Sequence, residues 1–272
     1  MELRNILVNL DVDFSSTNLL RLAADIAQRF GARVSEIAAA TPPANLIAVE
    51  GGTVSVGLYE AEQQNIEKRL NSLESAFLTD VPVKLRDRCI TMFESPTDAL
   101  ARAARRADLI VTQSQPARET SYARNLDIGG AILAAGRPVL VARIGATALD
   151  ARHIVVGWKD TREARRALVD ALPFLKAAED VLVIAVEEHG AYDKATLDDV
   201  VDWLHSHDVK ARAEARPALE SHAATLLAAA AEIDSRLIVT GAYGHSRLRE
   251  RIFGGVTRDL LEALEVHRLM SN

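Results

Sequence analysis

The chain is short of aromatic residues, which fill 4% of its 272 positions, and it holds one cysteine, Cys89. With few rings available, its cores must be built from Leu, Ile, Val and a large share of Ala. That composition suits helices packed tightly on a sheet and argues against an all-β architecture. A single cysteine excludes a disulfide framework within the chain. Because Cys89 falls in the apolar-alternating stretch Val81–Met92, a buried strand thiol is expected rather than a reactive one. No run of consecutive apolar residues is long enough to cross a bilayer. The charged Glu2 and Arg4 stand directly before a strand-like run, so no leader is expected and the cytoplasm is the expected compartment.

Positive charge is not in excess either. The formal net charge is -6, and no basic stripe with interleaved aromatics occurs, so nucleic acid is not an expected partner. The seven histidines lack the spacing of a closed zinc site; His205 and His207 are expected to cap a helix end. A P-loop (Gly, four residues, Gly-Lys-Ser/Thr) is missing, as is a glycine-rich dinucleotide fingerprint after the first strand. No pair of carboxylates is placed for opposed acid and base roles. No catalytic residue is assigned, and any ATP hydrolysis would be slow and incidental.

What is present is a repeat. Arg4–Leu10 (RNILVNL) and Arg152–Trp158 (RHIVVGW) both read as first strands. Leu19, Leu22, Ala23, Ile26, Ala27 and Phe30 then recur at helical spacing before Gly31, a usual helix stop, and Thr161–Leu175 repeats that pattern more loosely. Arg33–Ala39 and Asp180–Val186 read as second strands. Asp108–Thr112 (DLIVT) matches Ser235–Thr240 (SRLIVT), each after an alanine-rich helix. In the first copy Ser95, Pro96 and Asp98 suit a helix start; in the second, Leu219, Ala223, Leu226, Leu227 and Ala230 are expected to line one face. The copies end in Val139–Arg143 and the weaker His267–Ser271.

Strands alternating with helices twice over imply two tandem α/β domains with parallel sheets, over 1–147 and 148–272. Their boundary lies in Ile144–Asp150. So short a connection predicts intramolecular pairing of the two domains, which would cover an otherwise exposed sheet edge; a further homodimer is compatible with it. Thr41–Val56, with two prolines and two glycines, reads as a loop over the first domain.

The distinctive chemistry follows Thr240. There GAYGHSRLRERIFGGVTRDLL places Gly241, Gly244 and Gly254 with two and then nine residues between them, ahead of a helix beginning near Gly255. Glycines let backbone amides approach an anion, and a helix start directs unsatisfied N–H groups toward it. Arg247, Arg249 and Arg251 add charge, or are solvated or paired with Glu250, and His245 either reaches a phosphate or faces solvent as a loop histidine. In open α/β sheets ligands bind beyond the strand ends where the strand order reverses, which here would join Gly157–Asp160 to Gly241–Gly244.

On these residues the chain resembles the universal stress protein family, whose nucleotide-binding members carry Gly, two residues, Gly, nine residues, Gly, then Ser or Thr. The resemblance covers both halves. It implies two Rossmann-like, five-stranded parallel sheets of order 3-2-1-4-5, paired as a pseudo-dimer, with ATP or AMP, with or without Mg, in the second. Gly241, Gly244, Gly254 and Gly255 would surround the phosphates, Thr257 would assist, and Val186 would touch adenine. Two positions depart from the family pattern. Gly255 stands where a hydroxyl is usual, and the first strand ends in Gly157, Trp158, Lys159 and Asp160, where the family has Asp near the base. Asp160 is the substitute; Trp158 either stacks on a base or packs in the core. In the first copy Gln113 and Pro116 replace the loop glycines, although Gly129 and Gly130 before its final helix, with Asp11 and Asp13 after its first strand, keep part of the outline, so a structural role is expected for it. The implied function is that of an adenine-nucleotide-binding regulatory or stress-response protein. The alternative is a nucleotide-free interaction or other small-ligand module.

Overall fold

The computed structural model describes residues 2–43, 56–113, 123–187, 194–244 and 255–272. The first copy runs β1 (Asn5–Leu10), α1 (Thr17–Phe30), β2 (Arg33–Ala39), α2 (Val56–Asp80), β3 (Arg86–Met92), α3 (Pro96–Ala103), β4 (Leu109–Gln113), α4 (Ile128–Ala135) and β5 (Val139–Ala142). The second repeats the alternation as β6 (His153–Trp158), α5 (Arg162–Ala177), β7 (Asp180–Val186), α6 (Lys194–Ser206), β8 (Ala211–Arg216), α7 (His222–Glu232), β9 (Leu237–Gly241), α8 (Gly255–Glu262) and β10 (His267–Ser271). The long loop expected at Thr41–Val56 lies almost wholly outside the described residues.

Helix ends follow local chemistry. Gly31 ends α1 at φ 67°, its amide bonding Ala27 O, a left-handed conformation that costs glycine nothing. Thr161 and Ser221 cap α5 and α7 by accepting from the amides of Ala164 and Ala224. Three expectations need correction. Ser95 precedes α3 but its side chain makes no capping bond, leaving Pro96 and Asp98 to favour the start. Leu219 lies before α7 and is 56% exposed, so it takes no part in that helix's buried face. Gly129 and Gly130 fall inside the first turn of α4, not before it. Of the two histidines, His205 ends α6 with Nε2 2.9 Å from Ala211 O, while the His207 ring packs edge-on against Trp203.

All ten strands form one sheet in the order β3-β2-β1-β4-β5-β10-β9-β6-β7-β8. Each half has the order 3-2-1-4-5 and is parallel throughout; the halves join through the antiparallel pair β5–β10, with Leu269 opposite Leu140. Side chains alternate between two apolar layers. Ile6, Val8 and Leu10, like Ile154 and Val156, belong to the layer with α1, α2, α5 and α6; Leu7, Ile110, Val155 and Ile238 belong to the layer with α3, α4, α7 and α8. The outermost strands carry Arg86, Asp87 and Arg88, or Arg212, Glu214 and Arg216, charges that discourage pairing with further chains.

Other contacts reinforce the junction. Phe30 of α1 meets Phe174 of α5 edge-on at 5.1 Å. Arg29 donates to Leu149 O at 2.7 Å, and Leu149 N donates to Asp25 at 3.1 Å, tying the connection between copies to α1. On β10, His267 is 1% exposed, and burial holds its imidazole down at about 4. It stays neutral, and its Nδ1 accepts from Arg143 N at 3.4 Å. Arg268, also buried, donates to the carbonyls of Ala263 and Val266.

Cys89 is only half-buried, less than the sequence suggests. Its thiol donates to Glu36 Oε2 at 2.9 Å, and burial together with that carboxyl pushes its pKa up. Glu36 lies fully within the α2 layer, and burial raises its pKa to about 7, with Glu74 adding repulsion. A carboxyl whose folded pKa is raised contributes stability that is complete below the unfolded value near 4.5 and is lost as pH rises through about 7. Glu36→Gln, which copies the neutral acid, is expected to flatten the fall in stability between pH 5 and 8 and to raise stability at pH 8 by about 3 kcal/mol at most. Urea denaturation at several pH values checks this; parallel curves for the two proteins would show that Glu36 ionises freely in the fold.

Candidate functional site

The strand order reverses between β6 and β9 in the second copy, because β6 continues through α5 to β7 on one side while β9 lies on the other. Gly157 pairs with Thr240 and with Ile184, so these strands end side by side. Beyond them lie the turn into α5 on one side and Ala242–Gly244 on the other. This is the place where open α/β sheets receive ligands.

Three glycines line this place, and each accommodates a neighbour. A Cβ on Gly241 would stand 2.6 Å from Ala164 N and from Glu163 C, the main chain at the start of α5. One on Gly157 would stand 2.8 Å from Leu226 Cδ1 and 2.9 Å from Thr240 Cγ2. One on Gly244 would stand 3.0 Å from Glu163 Oε2 and 3.4 Å from Thr161 Oγ1. Gly241 and Gly244 are expected around phosphate and Gly157 in the crevice between the strands; the structure adds that Gly241 is demanded by close packing of main chain alone, whereas Gly157 faces side-chain ends. Gly255 differs, since among the described residues a Cβ there would meet nothing within 4 Å.

The loop between β9 and Gly244 is held in a definite shape. Ala242 donates its N–H to Ser271 O at 2.8 Å, and its carbonyl accepts from Asn272 Nδ2 at 2.9 Å. Tyr243 has φ 61°, a left-handed conformation unusual for a bulky residue and costing roughly 1–2 kcal/mol. Burial raises its hydroxyl to about 12, and the Asp127 carboxylate adds to the shift. Asp127 belongs to the first copy, so the loop of one half feels the charge of the other.

The remaining site residues separate into groups. Trp158 is 7% exposed and belongs to the apolar layer with Ala164, Leu168 and Leu197. Its ring therefore packs in the core, the second of the two positions open to it from sequence, and among the described residues its Nε1 has no hydrogen-bond partner. Asp160 is exposed and pairs with Arg165. Val186 ends β7, half-buried against the α7 layer. Thr257 is buried in the first turn of α8, two residues beyond Gly255. His245 and Gly254 lie outside the described residues, as do Arg247, Arg249 and Arg251.

Sequence reasoning missed Glu163, which is 8% exposed, accepts from Arg162 Nε at 3.2 Å and brings a carboxylate against Gly244. Its signal in the sequence was its position in the first turn of a helix capped by Thr161. Among the described residues no group of His, Cys, Asp or Glu could hold a metal ion, and no helix is long and apolar enough to cross a membrane.

The corresponding place in the first copy is closed. Asp127 caps α4 by accepting from Gly130 N at 3.0 Å, so a carboxylate of the chain itself occupies the helix start; a Cβ on Gly130 would lie 2.6 Å from that side chain. Asp11 accepts from Asn125 at 3.1 Å. Asp13 accepts from Arg124 at 2.6 Å and Arg69 at 3.1 Å, and the Arg124 guanidinium holds Asp13 below the usual carboxylate range. The cavity left beside Asn9, Asp11, Ser16 and Gln113 measures about 10 Å³, room for about one water.

No protein-family model and no curated protein matches the chain. Solved structures do. A universal stress protein from Archaeoglobus fulgidus DSM 4304 aligns over 100% of this chain and 97% of its own, with TM-score 0.72 and 15% identity. A putative universal stress protein from Pseudomonas aeruginosa UCBPP-PA14 aligns over 99% and 93%, with TM-score 0.60 and 16% identity. A functionally unknown protein from Pseudomonas aeruginosa PAO1 aligns over 99% and 92%, with TM-score 0.59 and 16% identity. At these identities the likeness is one of fold.

The glycine geometry separates two substitutions. Gly241→Ala forces a methyl group into the main chain of α5 and is expected to cost about 2–3 kcal/mol. Gly255→Ala, at an open helix start, is expected to be neutral or stabilising by less than about 1 kcal/mol. Chemical denaturation of both variants checks the pair; equal stabilities would remove the close approach of β9 to α5.

Proposed function

Starting from the fold of tandem universal stress proteins, we propose that the second copy binds an adenine nucleotide, ATP or AMP, beyond the ends of β6 and β9, while the first copy serves as its structural partner. The protein is then a nucleotide-responsive regulatory or stress-response protein of the cytoplasm. No catalytic role is proposed.

The observation that carries this reading is the difference between the two helix starts that face the strand ends. In the first copy Asp127 supplies the negative charge that the amides of α4 attract. In the second, α8 has no acidic residue in its first turn, and the residue before it, Gly254, has no side chain with which to cap. A phosphate is the natural complement of such a start. Thr257 lies in the first turn, and among the described residues nothing crowds Gly255. Glu163 works in the opposite sense, because its carboxylate against Gly244 repels a bare phosphate. Binding is therefore expected to be tighter with magnesium than without.

A second reading, a nucleotide-free module of the same fold, is favoured by Leu226, which covers Gly157 and narrows the place where a base would lie.

Calorimetry and thermal shift with ATP, ADP and AMP, each with and without magnesium, decide between them. One site per chain is expected, and ligand at 100 times its dissociation constant should stabilise the fold by about 2.7 kcal/mol. Hydrogen exchange should show protection at 241–257 and none at 123–130. Gly255→Ser restores a hydroxyl at an unstrained, open position and should tighten binding about tenfold, as for one added hydrogen bond to a charged group. Absence of any shift with all three nucleotides favours the second reading, and protection of both copies removes the asymmetry.

A further inference from the structure

A concavity with both an apolar floor and a charged rim lies in the first copy, between α3 and the sheet. It has a volume of about 380 Å³, within the range of small-ligand pockets. Its floor is apolar: Ile90, Met92 and Ala103 are half-buried and pack against the core beneath. Its rim is basic. Arg88 comes from β3, and Arg102, Arg105 and Arg106 come from the end of α3 and the 3-10 turn after it, Ala104–Arg106.

A break in the β2–β3 register puts Arg88 there. Val34 pairs with Arg86 but Glu36 with Cys89, so β3 carries one extra residue, and both Asp87 and Arg88 line the groove. Bulges of this kind re-aim side chains and recur beside functional sites. The second copy has a regular β7–β8 register.

The charges also differ between the copies. In the second, Arg216 on β8 pairs with Glu232 of α7 at 2.8 Å and with Glu214 at 2.6 Å, and Arg212 pairs with Glu214 and Asp180. In the first, the strand brings Asp87 and Arg88 to a helix end that carries Arg102, Arg105 and Arg106. Glu94 takes Arg102, and Asp87 lies 3.6 Å from Arg106 while accepting from Ser35. Arg105 spends its Nε on Arg102 O. Among the described residues no carboxylate pairs with Arg88 or Arg105. A helix C-terminus attracts cations and accounts for arginines on α3, but it does not account for a register break beside which Arg88 joins the same groove.

We propose that this groove binds a small amphipathic anion: a carboxylate or phosphate head held between Arg88 and Arg105, with an apolar body on Ile90, Met92 and Ala103. The head supplies the missing counter-charge, and guanidinium forks suit both head groups. The site lies apart from the nucleotide site proposed above and does not depend on it.

The full-length protein is titrated with 1-anilinonaphthalene-8-sulfonate, followed by fluorescence. Saturable binding of one dye per chain is expected, displaced by decanoate or decyl phosphate and at least tenfold less well by decanol or decyltrimethylammonium. The stronger of the two anions identifies the head group. AMP should leave the dye in place. Arg88→Glu with Arg105→Glu, both at exposed positions, should weaken binding at least tenfold without changing the melting temperature. Ala103→Trp, which fills the floor and keeps every arginine, should abolish it. No saturable binding, or dye retained at wild-type affinity by the double arginine variant, overturns the proposal; if Ala103→Trp does not fold, the arginine variant alone decides.

Discussion

The antiparallel pairing of β5 with β10 is the constraint on which the rest of the molecule depends. Each copy alone would end its sheet in a fully buried type of strand with nothing beside it; Val139–Ala142 and His267–Ser271 are buried along their whole length. Joining them turns two five-stranded sheets into one and lets the apolar layer under α1 continue to α5, where Phe30 meets Phe174. The join also explains polar residues in a core strand. His267 is tolerated there because burial keeps it neutral, and Arg268 because backbone carbonyls at the end of α8 receive its guanidinium.

From this join the two copies diverge. The first has sealed its strand ends with its own side chains: Asp127 on the helix start, Asn125 on Asp11, Arg124 and Arg69 on Asp13. The second keeps glycines at the same place, but two of them serve packing as much as any ligand, since Gly241 admits the start of α5 and Gly157 admits Leu226. A glycine pattern associated with phosphate binding can therefore persist for reasons of fold, and the open Gly255 is the more informative position. The halves remain in electrical contact through Tyr243, whose buried hydroxyl feels Asp127 across the join.

Much of the architecture was legible in the sequence because it rests on periodicity. The repeat of RNILVNL and RHIVVGW, the helical spacing before Gly31 and the paired DLIVT and RLIVT strands all correspond to observed elements. The strand order also agrees with the expected 3-2-1-4-5. What could not be read depends on contacts between distant residues. Nothing local marks Trp158 as core rather than cleft, or Glu163 as the neighbour of Gly244, because both follow from how α5 settles on β6 and β9. Leu219 looked like part of a helix face because its spacing is right, but Ser221 caps α7 only after it. The bulge in β3 was invisible for the same reason: register is a property of two strands, and the charged Arg86–Arg88 run reads in isolation as an exposed edge.

The separation between the two strands of the join has a consequence for synthesis. Arg143, at the end of β5, and His267, at the start of β10, are 124 positions apart. At ordinary translation rates the interval between them is on the order of ten seconds. During that time a completed first copy offers a bare, apolar, antiparallel-competent edge. The most accessible surface able to cover it is the same edge on another nascent chain, and an antiparallel pair of identical strands satisfies a two-fold axis. The covalent tether resolves this competition by keeping the correct strand at high effective concentration once it emerges. Crowding of nascent chains on one messenger would shift the balance toward exchanged dimers, in which β5 of one molecule is capped by a neighbour before its own β10 exists.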